Sequence, residues 1–245
     1  MLKIFIVAFF IYGSCNNFYT NSSRVQAIKV SQIFPNLTDK GKLLSYDTLD
    51  VNFFYYNNYT LYYLSYQFDS TVEDIKLLSE VRYHYVFHEK GKTYGYDLDK
   101  HKSLNIRKVP MDSIYKIEWV FQINLCALFS KLSTTLLSSN KDNSGELKEH
   151  YKFKGIKDTS MSGMFYLEFT NKLKDVEFTL CKELDSMKRM KLQKILIVDN
   201  PRYYKPIEAY LEKFETGYWI EELKNFNSVD IKSLFEMFEK EAAKH

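Results

Sequence analysis

Glycine and proline are scarce, 8 and 4 in 245 residues. That excludes a low-complexity linker, and three cysteines are too few for a disulfide knot. The longest apolar run falls well short of the roughly twenty residues a spanning helix needs. Five histidines, one of them the terminal His245, leave little for metal chemistry. Neither Cys126 nor Cys181 has a second cysteine or a histidine at ligand spacing, so no structural metal is expected. Lys and Arg total 34 against 31 Asp and Glu. So small an excess, with no recognition motif, argues against a nucleic-acid partner. Hydrolase signatures are missing: there is no G-x-S-x-G and no H-E-x-x-H, and Ser162-Gly163 lacks the flanking pattern. The Gly91-Lys92-Thr93-Tyr94-Gly95 stretch lacks the spacing of a phosphate cradle. No enzyme activity and no cofactor are expected.

The start of the chain is the most specific feature present. Lys3 precedes an apolar run from Ile4 to Tyr12, and Gly13, Ser14 and Cys15 follow. A basic start, a short apolar stretch and a small-residue exit describe a secretory signal peptide over residues 1–15. Cleavage after Cys15 leaves residues 16–245 as one secreted domain, with a possible division at the polar stretch 138–146. The alternative is a lipoprotein anchored through Cys15, but Tyr12 stands where such signals carry an aliphatic residue.

Export sets the reading of the cysteines and sequons. Without the leader, Cys126 and Cys181 form an even pair in an oxidising compartment, and a disulfide between them is expected. Asn21, Asn36 and Asn58 each open an N-x-[ST] acceptor. Asn58 stands out because it falls at an expected hairpin tip.

Aromatics are abundant, with 20 Tyr and 19 Phe, and eleven tyrosines lie between Tyr46 and Tyr96. Tyrosine suits strands and half-wet surfaces. Charge is uneven: from Lys205 onward there are 6 basic and 9 acidic residues. The densest basic stretch, Lys182 to Lys194, is interrupted by Glu183 and Asp185 and reads as a solvated face.

The pattern predicts an α+β fold: antiparallel β-meander sheets with an internal helix near Leu125–Leu137 and C-terminal helices. Ser23–Phe34 reads as a short helix closed by Pro35. Tyr46–Tyr56 and Tyr59–Phe68 read as a hairpin turning at Asn57-Asn58, aromatic on both faces and so covered on both sides or lining a cavity. Ser70 to Leu78 reads as a capped helix. A second hairpin, Val81–His88 with Tyr94–Leu98, turns at Lys90-Gly91. That turn sets Phe87 opposite Tyr94 and His84 opposite Asp97. Leu104–Val109 and Ile114–Ile123 are further strand candidates. Phe165–Phe169, Val176–Leu180 and Leu192–Val198 also read as strands. Pro206–Phe214, Tyr218–Phe226 and Val229–Ala243 read as helices.

Two constellations bear on function. His84, His88, Asp97, Asp99 and His101 converge on one face of the second hairpin, where they read as ordinary cross-strand ion pairs on an outer surface, outweighing a metal or acid–base site. Tyr55, Tyr56, Tyr59, Tyr62, Tyr63 and Tyr66 form the aromatic cluster. Taken together, the features predict a secreted, non-enzymatic binding protein. Tyr55, Tyr59, Tyr62, Tyr63 and Tyr66 would line a site for a hydrophobic or amphipathic small molecule. The alternative is a secreted or surface interaction protein, an effector using those rings as an exposed patch against an extracellular protein.

Overall fold

The computed structural model describes residues 25–72, 75–98, 106–123, 125–157 and 160–244; for 65–72 and 75–82 it describes the backbone only. The signal segment, Asn21, Asp99 and His101 lie outside those residues. Most of the described residues are in strands, and the helices are few and short.

Eleven strands form one antiparallel sheet. From one edge its order is β6 (Arg107–Pro110), β5 (Tyr94–Leu98), β4 (Ile75–Glu89), β3 (Tyr59–Val72), β2 (Leu43–Tyr56) and β1 (Gln26–Leu37). It continues through β13 (Phe214–Glu222), β10 (Lys191–Asp199), β9 (Ser162–Thr170), β8 (Leu147–Gly155) and β7 (Leu132–Lys141). The chain thus builds one meander outward from β1, crosses a face, and builds a second inward from β7. β13 then joins them by pairing with β1 on one side and β10 on the other. β11 (Arg202–Tyr204) and β12 (Ala209–Leu211) form a separate hairpin.

Among the described residues four α-helices follow, α1 (Met111–Ile117), α2 (Leu125–Ser130), α3 (Lys182–Lys188) and α4 (Ser228–Ala242), with 3-10 turns over Trp119–Gln122 and Lys205–Ile207. The elements following β6, together with the 171–181 loop, cover one face of the sheet. There Ile28, Phe53, Phe165, Phe169, Leu192 and Ile195 meet Met111, Val120 and Leu180 in the larger core. The disulfide Cys126–Cys181 is present and ties α2 to the start of α3 under that cover. α4, with Phe226 just before it, covers part of the opposite face, where Ile231, Phe235 and Phe238 pack on Phe54, Leu61 and Phe87. Asn227 caps it, its Oδ1 accepting from the N–H of Val229. Burying such a stripe is what stabilises a helix of this length.

Several expectations change. The chain is mostly β, with fewer helices than the α+β reading gave. Within the helix expected over Ser23–Phe34, the described residues from Gln26 onward form strand β1 (Gln26–Leu37). β1 is central and covered on both faces near its start, so buried residues come in pairs (Ala27-Ile28, then Val30-Ser31) and imitate helical spacing. Tyr218–Phe226 falls largely in β13, another central strand, and Pro206–Phe214 holds β12. Ser70–Leu78 carries the ends of β3 and β4, paired through Val72 and Ile75. Ile114–Ile123 is helical. Val176–Leu180 alternates because it packs as a loop on the larger core. The internal helix ends at Ser130, and Leu132–Leu136 belongs to β7.

The second hairpin keeps its faces but shifts its pairing. Phe87 pairs with Tyr96 and Val86 with Asp97. A two-residue hairpin turn at Lys90-Gly91 would need positive φ at its first position, Lys90. Gly91 has it, at 86°, and Lys90 does not. The connection therefore runs over four residues, 90–93. Asn57-Asn58, with Asn57 at φ 53°, is the tight turn expected.

Candidate functional site

The tyrosine group divides between the two faces of the sheet. Tyr55 and Tyr62 point to the larger core, while Tyr59 and Tyr63 pack at the cluster under α4. Alternation along β2 and β3 enforces the split, since successive side chains leave a strand on opposite faces. Tyr66 is known by its backbone, paired with Arg82. The rings are engaged by protein. Tyr62 sits edge-on to Phe53 at 4.9 Å and to Phe121 at 5.2 Å. Tyr59 stacks on Phe87 at 4.9 Å, and Tyr63 stacks between Tyr83 and Tyr85. Burial raises the phenol pKa of Tyr62 well above its ordinary value and that of Tyr55 as well. The group is thus two halves of two cores. Tyr63 joins a ladder reaching solvent through Tyr83, which is 41% exposed.

The hairpin charges are also differently disposed. His84 and Asp97 meet as expected, with Nδ1 2.9 Å from Asp97 Oδ1, but diagonally and buried. The sequence reading put this pair on an outer face. It missed Glu118, between α1 and the 3-10 turn, whose Oε1 lies 3.2 Å from His84 Nε2. Arg107, opposite Asp97 across β5 and β6, donates from Nη2 to Asp97 Oδ2. Burial alone would lower the His84 pKa, but hydrogen bonds to Asp97 and Glu118 outweigh it and raise the pKa to about 9. Burial would likewise raise that of Asp97, but His84 and Arg107 hold it below the usual carboxylate value. An imidazolium donating at both nitrogens has no lone pair for a proton or a metal ion. The cluster clamps β4, β5, β6 and the α1 region together. His88 lies apart, its Nε2 against Lys92 O at 2.9 Å.

The sequons differ in setting. Asn58 is exposed at its hairpin tip. Asn36 donates from Nδ2 to Ser45 Oγ and, at 2.7 Å, to Asp47 Oδ2, so its amide is already engaged.

The broadest candidate surface comes from topology. The cluster under α4 draws its sheet residues from β1 to β5. On the same side of the sheet, β13, β10, β9, β8 and β7 carry no helix of the described residues. Cross-strand register aligns one row of side chains there: His150, Tyr166, Leu196 and Gly217, followed by Ile33 of β1. Trp219 stands in the next row, opposite Lys194 and Ser31. Tyr166 is 40% exposed and stacks on His150 at 4.3 Å. Gly217 leaves a dip: a Cβ there would meet Ile33 Cγ2 at 2.8 Å and Trp219 at 3.4 Å. Exposed Lys148, Lys152 and Lys154 of β8 flank the row. Five strands about 4.8 Å apart and some nine residues long span roughly 700 Å², close to the ~800 Å² each partner gives a standard interface. Rings at the centre with charges at the rim are what such interfaces use. Along α4 itself runs a groove of about 470 Å³ lined by Ile106, Met237 and Lys240 among others. Sequence reasoning missed the bare face because the partition of one sheet between covered and bare halves depends on where α4 lands. The alternation of Met164, Tyr166 and Glu168 with Phe165, Leu167 and Phe169 was its one local sign.

No protein-family model matches the chain, and no curated protein is significantly similar to it.

Proposed function

We propose that the chain is a secreted, non-enzymatic binding protein that engages a protein partner through the uncovered half of its sheet. The observation carrying the reading is the half-exposed row of His150, Tyr166 and Leu196 beside Trp219, on a face that α4 leaves bare. Tyrosine and tryptophan are the residues that dominate binding energy at interface centres. The disulfide supports an extracellular setting, and among the described residues no helix is long and apolar enough to cross a membrane. Carriage of a small molecule has less support, because Tyr55, Tyr59, Tyr62 and Tyr63, meant to line its site, are divided between faces and packed into two separate cores. A glycan at Asn58 would project from the hairpin tip, and the engaged Asn36 amide makes that acceptor the poorer one.

The test is binding of protein secreted from eukaryotic cells to an array of extracellular protein domains, against a Tyr166→Ala/Leu196→Ala variant. Loss of these two central side chains should weaken any specific contact at least tenfold, at about 1–2 kcal/mol or more for each central side chain. Equal binding by the variant would refute the surface. A small molecule retained at unit stoichiometry in native mass spectrometry, with no array binding, would replace this reading with carriage.

A further inference from the structure

The two edges of the sheet are built differently. β6 is four residues long, begins with Arg107 and Lys108, and ends at Pro110. Shortness, positive charge and proline are the devices by which proteins prevent an edge from pairing. β7 has ten residues, LSTTLLSSNK, with no proline and no charge before Lys141, and all of them from Ser133 onward are exposed. Its one interruption is the bulge at Leu137. Before it, Leu132 to Leu136 pair regularly with Gly155 through Tyr151 of β8. The outer backbone groups of that segment face away from the sheet.

We propose that β7 pairs with β7 of a second copy of this chain, antiparallel about a two-fold axis at Thr134, joining the two sheets edge to edge. The segment is self-complementary about that residue. Leu132 meets the copy's Leu136, Ser133 meets its Thr135, and Thr134 meets Thr134. Hydroxyl pairs and leucine pairs are favourable cross-strand neighbours, and no like charges face one another within the segment. A charged partner strand would find nothing to pair with here, whereas a second copy brings the neutral, hydroxyl-rich strand the edge calls for. An isologous contact of this kind closes at two subunits. One strand pair buries less than the ~1,200 Å² of a standard interface, so the dimer is reversible and depends on concentration. The inference does not depend on the proposed function, since edge pairing leaves the bare face open.

Sedimentation equilibrium over a thousandfold concentration range tests it, with the secreted full chain and two exposed-site variants, Thr134→Lys and Thr134→Glu. The unmodified chain should pass from monomer to twice the monomer mass. Each variant alone sets like charges across the axis and should weaken the dimer at least tenfold. An equimolar mixture of the two should recover it, which a folding defect could not do. A monomer at every concentration overturns the proposal. So does a dimer that Thr134→Lys leaves intact, or weakened variants whose mixture stays monomeric.

Discussion

Replacing His84 with glutamine removes the cation from between two buried carboxylates, and the cost should depend on pH in a defined way. His84 titrates at about 9 in the folded chain, against about 6.5 unfolded. The folded state therefore holds its proton more tightly. That stabilisation is complete below pH 6.5, declines between 6.5 and 9, and is gone above. Two and a half units at about 1.4 kcal/mol each amount to roughly 3 kcal/mol. Truncating one member of a buried charge pair costs a similar 3–5 kcal/mol. The side chain is 10% exposed, so solvent screening takes little from this. The assay is urea denaturation of the native chain and His84→Gln at pH 6.0 and 9.5. Taking the difference between proteins cancels the titration of the buried tyrosines, which is common to both. At pH 6.0 the variant should be less stable by about 3 kcal/mol, a fall in Tm of roughly 6–12 °C for a chain of this size. At pH 9.5 most of that gap should close. A gap that is the same at both values, or one that widens with pH, would refute the imidazolium bridge.

Three other outcomes follow from the same packing. Reducing Cys126–Cys181 opens a 55-residue loop and should cost about 4 kcal/mol by the chain-entropy estimate, read as the shift in urea midpoint between the native chain and Cys126→Ala/Cys181→Ala; an unchanged midpoint would contradict it. Phe235→Ala empties a fully buried site between Phe87 and Tyr56 and should cost 3–5 kcal/mol, with hydrogen exchange speeding up in β3 and β4 more than in β8 and β9. Gly163→Ala would set a Cβ 2.0 Å from the Val198 carbonyl oxygen and 2.7 Å from the Phe153 ring, so a loss of about 1–3 kcal/mol or more is expected on thermal melting, and none would mean that β9 and β10 do not approach as described.

How much of this was legible depended on how many faces of an element are covered. β9 and β10 read correctly: Phe165, Leu167 and Phe169 alternate with residues left on the bare side. The Asn57-Asn58 turn and α4 read correctly for the same reason, each being settled by a few neighbouring residues. β1 and β13 did not: β1 is buried on both faces near its start, and β13 buries only Gly217 and Ile220, three apart, so neither shows the period of two that marks a strand. The His84–Asp97 contact was legible within its hairpin. Glu118, 34 residues from His84, was not, and it is Glu118 that turns a surface pair into a buried bridge. The tyrosine cluster misled because closeness in sequence was read as closeness in space, whereas alternation sends Tyr62 and Tyr63 to different cores. The bare half-sheet could not be read locally, since it is defined by the resting place of a helix far along the chain.

The central claim is that partners meet the half of the sheet that α4 leaves uncovered. It is tested most directly by placing a photo-crosslinking residue singly at Tyr166, Leu196 and Lys152 on the bare face, and at Val229 and Glu236 on α4. Each protein is then irradiated with the partner found by array binding. Adducts should form from the first three positions and not from the two on α4. Adducts confined to the α4 positions, or formed equally from all five, would contradict the account.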